Sequence, residues 1–184
     1  MARTLSNMLA LGTKAPQFSL PDTNSFSTKS YLECKGDKAT MVLFMCNHCP
    51  YVIHVISEII KIHHDYRLNG LGIIAISSND IISYPQDSPE LMKEFAYNNS
   101  MNFPYLYDET QQVAKAYDAA CTPDFFLFDS TDLLVYRGQL DDSRPSNGIP
   151  VSGSDLRNAI DSVLFNRKIN PIQKPSMGCN IKWR

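Results

Sequence analysis

Ala39-Thr-Met-Val-Leu-Phe-Met45 runs uncharged into Cys46-Asn-His-Cys-Pro50, and Tyr51-Val-Ile-His-Val-Ile-Ser-Glu-Ile-Ile60 follows directly. The apolar run, bounded by Gly36-Asp37-Lys38, has the pattern of a strand buried on both faces. From residue 50 the period changes. Val52, Ile53, Val55, Ile56, Ile59, Ile60 and Ile62 cover a wide apolar face, with His54, Glu58, Lys61 and Asp65 spaced on the opposite side. This spacing predicts a helix over 50–66, stopped by Asn69-Gly70. Leu71-Gly-Ile-Ile-Ala-Ile-Ser77 is a second buried strand. Strand, helix and strand form a βαβ unit with parallel strands and a right-handed connection. The chain is α/β.

Working outward, Phe18-Ser-Leu20 and Ser25-Phe-Ser27 flank Pro21-Asp-Thr-Asn24, the pattern of a small β-hairpin. Ser88 and Pro89 open a helix to about Asn98, as N-cap and first helical residue. Phe103–Tyr107 is extended, and 109–119 reads as a helix. Phe125-Phe-Leu-Phe128 and Leu133-Leu-Val-Tyr136 form a hairpin around Asp129-Ser-Thr-Asp132. The Asp-, Ser-, Pro- and Gly-rich residues 141–153 form a loop, and Ser152 or Ser154 caps a last helix through about 167. No repeat or long linker divides the chain, so 1–184 is one domain, with an arm at 1–11 and a docking tail at 170–184.

The 184 residues include 17 Lys plus Arg against 19 Asp plus Glu, a net charge of −2. A nucleic-acid partner would require a basic excess, and none exists. No apolar run approaches the roughly 18 residues of a spanning helix, and the N-terminal stretch lacks a signal h-region. A soluble, cytoplasmic protein is expected, with neither a membrane nor a nucleic acid as partner. A chain this long buries roughly 70% of its unfolded surface and needs no disulfide framework. Its five cysteines are in any case an odd number. In a reducing compartment a close cysteine pair is more often catalytic or metal-binding than structural.

Cys46 and Cys49 are that pair. They sit where a buried strand hands over to a helix, the edge at which open α/β sheets collect chemistry. Two intervening residues bring both sulfurs within bonding distance, and a helix N-terminus stabilises a thiolate. A cationic His48 between them would lower a thiol pKa and favour the reduced form. His54 falls on the polar stripe, and His63-His64 suit the helix C-terminus. Pro50 leaves the register open. With Cys46 as cap, Pro50 cannot donate to the Cys46 carbonyl; with Cys49 as cap, it takes the favoured first position. Structural zinc would want four ligands in paired spacings, whereas Cys34, Cys121 and Cys179 are scattered, so no metal is expected.

These residues resemble the thioredoxin-like superfamily, in its alkyl hydroperoxide reductase C/thiol-specific antioxidant (AhpC/TSA) branch. The resemblance rests on Gly12-Thr-Lys-Ala-Pro-Gln-Phe-Ser-Leu-Pro-Asp22 and the Cys-Asn-His-Cys-Pro motif. Phe103–Asp108, Thr122-Pro-Asp-Phe-Phe-Leu-Phe-Asp129 and Gly178-Cys-Asn-Ile-Lys-Trp183 extend it over nearly the whole chain. It implies a thioredoxin-like fold: a central mixed sheet, helices on both faces and an N-terminal hairpin extension. It also implies that Thr122-Pro123 is a cis-proline loop facing the cysteines, where Thr122 backbone would pair with a substrate's extended chain. Cys121 would then lie nearby as an accessory thiol, or as a small buried residue.

The departures are specific. Met45 stands where general thioredoxin reductants carry Trp, and no carboxylate occurs between Asp37 and Glu58 to take a proton from the buried thiol. Typical peroxiredoxins place Thr or Ser three residues before a Cys-Pro. Here Cys46 occupies that position before Cys49-Pro50.

The chain is therefore expected to be a thiol–disulfide oxidoreductase needing no cofactor beyond a redox-active Cys46–Cys49 disulfide. Cys46 attacks, Cys49 resolves, His48 tunes the thiolate, and Thr122 and Pro123 position the partner. Partners would be protein or small-molecule thiols and disulfides, or peroxide, with an upstream thiol reductant. One alternative is a thiol peroxidase in which Cys49 attacks and Cys46 resolves; another is a redox-sensing or metal-binding module. Cys179, in its Pro-flanked tail, either exchanges with or guards the pair, or Ile181 and Trp183 simply dock the tail on the core.

Overall fold

A computed structural model describes residues 3–184. In chain order the elements are β1 (Arg3–Leu5), β2 (Ser19–Pro21), β3 (Thr28–Ser30), α1 (Tyr31–Cys34), β4 (Ala39–Phe44) and α2 (Pro50–Tyr66). There follow β5 (Leu71–Ser77), α3 (Pro89–Asn98), β6 (Tyr105–Tyr107), α4 (Gln112–Ala116) and β7 (Cys121–Thr122). The last are β8 (Asp124–Asp129), β9 (Leu134–Gly138), α5 (Ser154–Leu164) and β10 (Met177–Asn180).

The central sheet has the order β6-β5-β4-β8-β9, with β4, β5 and β6 parallel and β8 and β9 antiparallel to their neighbours. It is the mixed sheet that the resemblance implies. Every residue of β4 is buried, because both faces are covered. On one face Met41 and Leu43 meet Ile56, Ile59, Leu156 and Ile160 of α2 and α5. On the other, Val42 and Phe44 meet an aromatic layer of Phe18, Tyr31, Tyr117, Phe126 and Phe128, beside α1 and α4.

Strand and helix bounds at 39–44, 50–66, 71–77 and 89–98 follow the apolar periods closely, and Gly70 ends its turn at φ 99°. Elsewhere side chains override the pattern. The N-terminal hairpin exists, but its second strand begins at Thr28, because Asp22 carboxylate oxygens accept from the Asn24 and Ser25 amides and widen the turn. α4 is shorter than 109–119. Gln111 is left-handed at φ 63°, and Asp108 accepts from the Ala114 amide at 2.9 Å. Neither Ser152 nor Ser154 caps α5. Left-handed Gly153 precedes it, and Asp141 accepts from the Ser152 and Gly153 amides. Glu58, expected on the polar stripe, is buried, 2.7 Å from Arg157 Nε of α5.

A second sheet has the order β1-β10-β7, antiparallel throughout. It gathers the arm, the tail and the residues beside Pro123. The tail is fixed beyond it as well: Ile181 N–H donates to Ala120 O, and Lys182 N–H to buried Asn79 Oδ1 at 2.8 Å.

Candidate active site

The last tie of the β4 segment to the sheet is Met45 N–H, which donates to Ile76 O, so the chain leaves the sheet at Cys46. α2 begins at Pro50 with Cys49 as its N-cap. Proline lacks the amide that would be unpaired at this position anyway. Of the two registers open from sequence, this one aims the positive end of α2 at Cys49.

Both cysteines are free thiols, 1% and 0% exposed. Thr122 reaches them from across the site. Its hydroxyl lies 3.5 Å from Cys46 Sγ, and the Cys49 thiol donates to its carbonyl at 3.1 Å. The Thr122–Pro123 peptide bond is cis.

The two sulfurs differ sharply. Cys46, then the Thr122 and Cys179 side chains and the Val52 amide, favour the ionised form of Cys49, and against burial they draw its thiol below the ordinary range. Cys46 is pushed well above the ordinary thiol range: it holds the proton of the shared bond, it is buried, and the charge of Asp87 lies nearby.

Asp87, fully buried in a 3₁₀ turn at Pro85–Asp87, is the carboxylate that the local sequence lacked. It accepts from the Asn47 amide at 2.9 Å and from Asn79 Nδ2 at 2.8 Å. His48 Nδ1 is 2.7 Å from Asp87 Oδ2, off the N–H axis of a linear hydrogen bond, and its ring stacks on Tyr84. Thus His48 faces a carboxylate rather than the pair alone. One donor atom each from Cys46, His48 and Asp87 lies within 4.8 Å of the others, which makes these, among the described residues, a group able to hold a metal ion. Counting Cys and His by spacing missed this group because Asp87 lies 41 positions beyond Cys46 (87 − 46).

The remaining residues divide. Cys121 is buried, its thiol 3.6 Å from Pro123 O and pushed up by burial. Cys34 lies apart, against the aromatic layer. Asp124, just after Pro123, is buried with Oδ1 unpaired, and burial raises its carboxyl to about 7. The edge expected to receive a substrate is not open. Thr122 pairs with Cys179 of β10, so the chain's own tail fills it.

The AhpC/TSA family model matches residues 11–137. The chain belongs to the AhpC/TSA family. Its fold is that of the thioredoxin-like superfamily. It is 52% identical to an uncharacterized conserved protein from Geobacillus kaustophilus, covering 100% of this chain and 97% of that one, with a TM-score of 0.98. A hypothetical protein from Sinorhizobium meliloti 1021 is 45% identical, with 98% of each chain covered and a TM-score of 0.95. The fold also matches the thioredoxin domain of a thiol-disulfide oxidoreductase from Bacteroides vulgatus at 19% identity, covering 85% and 99%, with a TM-score of 0.65. No curated protein matches. Among the described residues, no helix is long and apolar enough to cross a membrane.

Proposed function

We propose that this AhpC/TSA protein is a thiol–disulfide oxidoreductase in which the Cys46–Cys49 pair cycles between dithiol and disulfide, with Cys49 as the attacking sulfur. The observation that carries this is the place of Cys49 as N-cap of α2, where the positive end of the helix favours a thiolate, with Cys46 and Thr122 beside it. The roles are thus exchanged relative to the sequence expectation. The Cys49 thiolate attacks one sulfur of a partner disulfide, forms a mixed disulfide and releases the other partner sulfur as a thiol. Cys46 then gives up its proton, attacks Cys49 Sγ and releases the second partner thiol, leaving Cys46–Cys49 oxidised. His48 and Asp87 are the groups beside Cys46 able to take that proton. An upstream thiol reductant returns the pair to the dithiol.

Burial favours a second reading. With both sulfurs at most 1% exposed and β10 over Thr122, a small oxidant reaches Cys49 more easily than a protein chain does. Peroxide would convert the Cys49 thiolate to a sulfenic acid and leave as water or hydroxide. Cys46 would then displace the second oxygen as water and close the disulfide.

Turnover of a model disulfide and of peroxide should both fall by about a thousandfold or more in Cys49→Ser, with the fold intact by circular dichroism. Cys46→Ser should abolish the Cys46–Cys49 disulfide in both assays while leaving the first step of reaction at Cys49. Model-disulfide turnover that survives Cys49→Ser would overturn the proposed roles. Peroxide consumption with no model-disulfide activity would select the second reading.

A further inference from the structure

Cys179 lies against the pair as part of a built structure. β10 is the middle strand of its sheet. Cys179 stands opposite Arg3 on one side and opposite Thr122 on the other, and Thr122 is the residue that contacts both Cys46 and Cys49. The register is tight at the next residue. A Cβ on Gly178 would lie 1.9 Å from Thr122 O, so only glycine lets the two backbones approach this closely. Cys179 is 5% exposed and shares one apolar cluster with Cys46 and Cys49. Cys179 and Cys49 are close enough for each to shift the other's thiol. An external disulfide must therefore meet Cys49 with a third thiol already in place.

We propose that Cys179 is a third redox-active thiol, which takes the disulfide from the Cys46–Cys49 pair by intramolecular exchange. The inference rests on the thiol–disulfide reading above. Cys179 loses its proton and attacks Cys49 Sγ. The Cys49–Cys179 bond forms as the Cys46–Cys49 bond breaks, and Cys46 leaves as a thiolate that takes up one proton. One disulfide is consumed and one is made, so no further oxidant is required. The small sheet holds Cys179 in place for the exchange, since Thr122, opposite Cys179, contacts both sulfurs of the pair. The exchange ties Cys49, at the start of α2, to β10 and presents Cys46 as the free thiol for the next partner.

The test uses the full chain with oxidised glutathione, followed by acid quench, alkylation and non-reducing peptide mapping. Wild type should give both Cys46–Cys49 and Cys49–Cys179 peptides. In Cys46→Ser, glutathione first bound to Cys49 should be expelled as Cys49–Cys179 forms. This should be at least about tenfold faster than in Cys46→Ser/Cys179→Ser treated with 1 mM free thiol, because a thiol held in contact acts at high effective concentration. Gly178→Ala, which drives β10 off Thr122, should lower the yield of Cys49–Cys179 relative to Cys46–Cys49. A stable glutathione adduct on Cys49 in Cys46→Ser, in a protein whose wild type forms Cys46–Cys49, overturns this inference and leaves the oxidoreductase reading standing. A wild type that forms no Cys46–Cys49 disulfide overturns both.

Discussion

The two sheets of this molecule are held together in different ways. The five-stranded sheet buries apolar side chains on both faces, and β4 has no exposed residue. The three-stranded sheet is made of short strands with little apolar surface of their own, held by main-chain register, one glycine and a few polar anchors. The first supplies the burial that drives folding. The second supplies position: it brings Thr122 and Cys179 to the sulfurs. The sulfurs sit at the end of the first sheet, and the second places groups against them.

Substitutions in the two parts should therefore read out differently. Phe126 packs edge-on against Phe44 and Tyr117, with ring centroids 5.9 and 5.7 Å away. Phe126→Ala should destabilise by about 3–5 kcal/mol in denaturant titration, with the pH midpoint of Cys49 alkylation unchanged. If that midpoint moved as far as the stability did, the separation would be false.

Asp124 lies at the seam. Its carboxyl is raised to about 7 in the fold, above the ordinary unfolded value near 3.9. Folding therefore takes up a proton between those values. The stability it contributes is complete below about pH 4 and is lost as pH rises through about 7. Asp124→Asn should flatten the pH dependence of unfolding by at most about 4 kcal/mol over that window, measured by denaturation at fixed pH steps. A variant as pH-dependent as wild type would mean that the carboxyl is not held neutral.

The smallest effect belongs to Asp87, whose charge helps keep Cys46 protonated. Asp87→Asn should lower the pH at which Cys46 alkylates by about one unit, with the main-chain fold retained. An unchanged Cys46 midpoint would place the proton-accepting role elsewhere.

The difference between the sheets also explains what the sequence reveals. β4, α2, β5 and α3 are written in the period of their apolar residues, because burial on one or two faces is what forms them. The cysteine pair is legible for the same reason, since its place at a strand end follows from its neighbours. Pairing of β1, β10 and β7 leaves no such trace. Met177-Gly-Cys-Asn180 has no alternation, and its partners lie far away in the chain. Asp87 was equally hidden, because Asp-Ser-Pro before a helix reads only as a cap. Glu58 misled in the opposite sense. Its spacing suggests water, but Arg157 covers it with a counter-charge brought in by α5.

Arg3 pairs with Cys179, 176 positions further along (179 − 3). Closing so long a loop in an unstructured chain carries a large entropic cost, whereas the contacts of β4 with β5 span only 32 positions (71 − 39). Loop closure alone therefore favours pairing of β4 with β5 before residues 3–5 and 177–180 meet across the site. Closure of the small sheet is what brings the strand beside Thr122 and the Cys179 thiol to Cys49, so completing the fold is also what covers that sulfur.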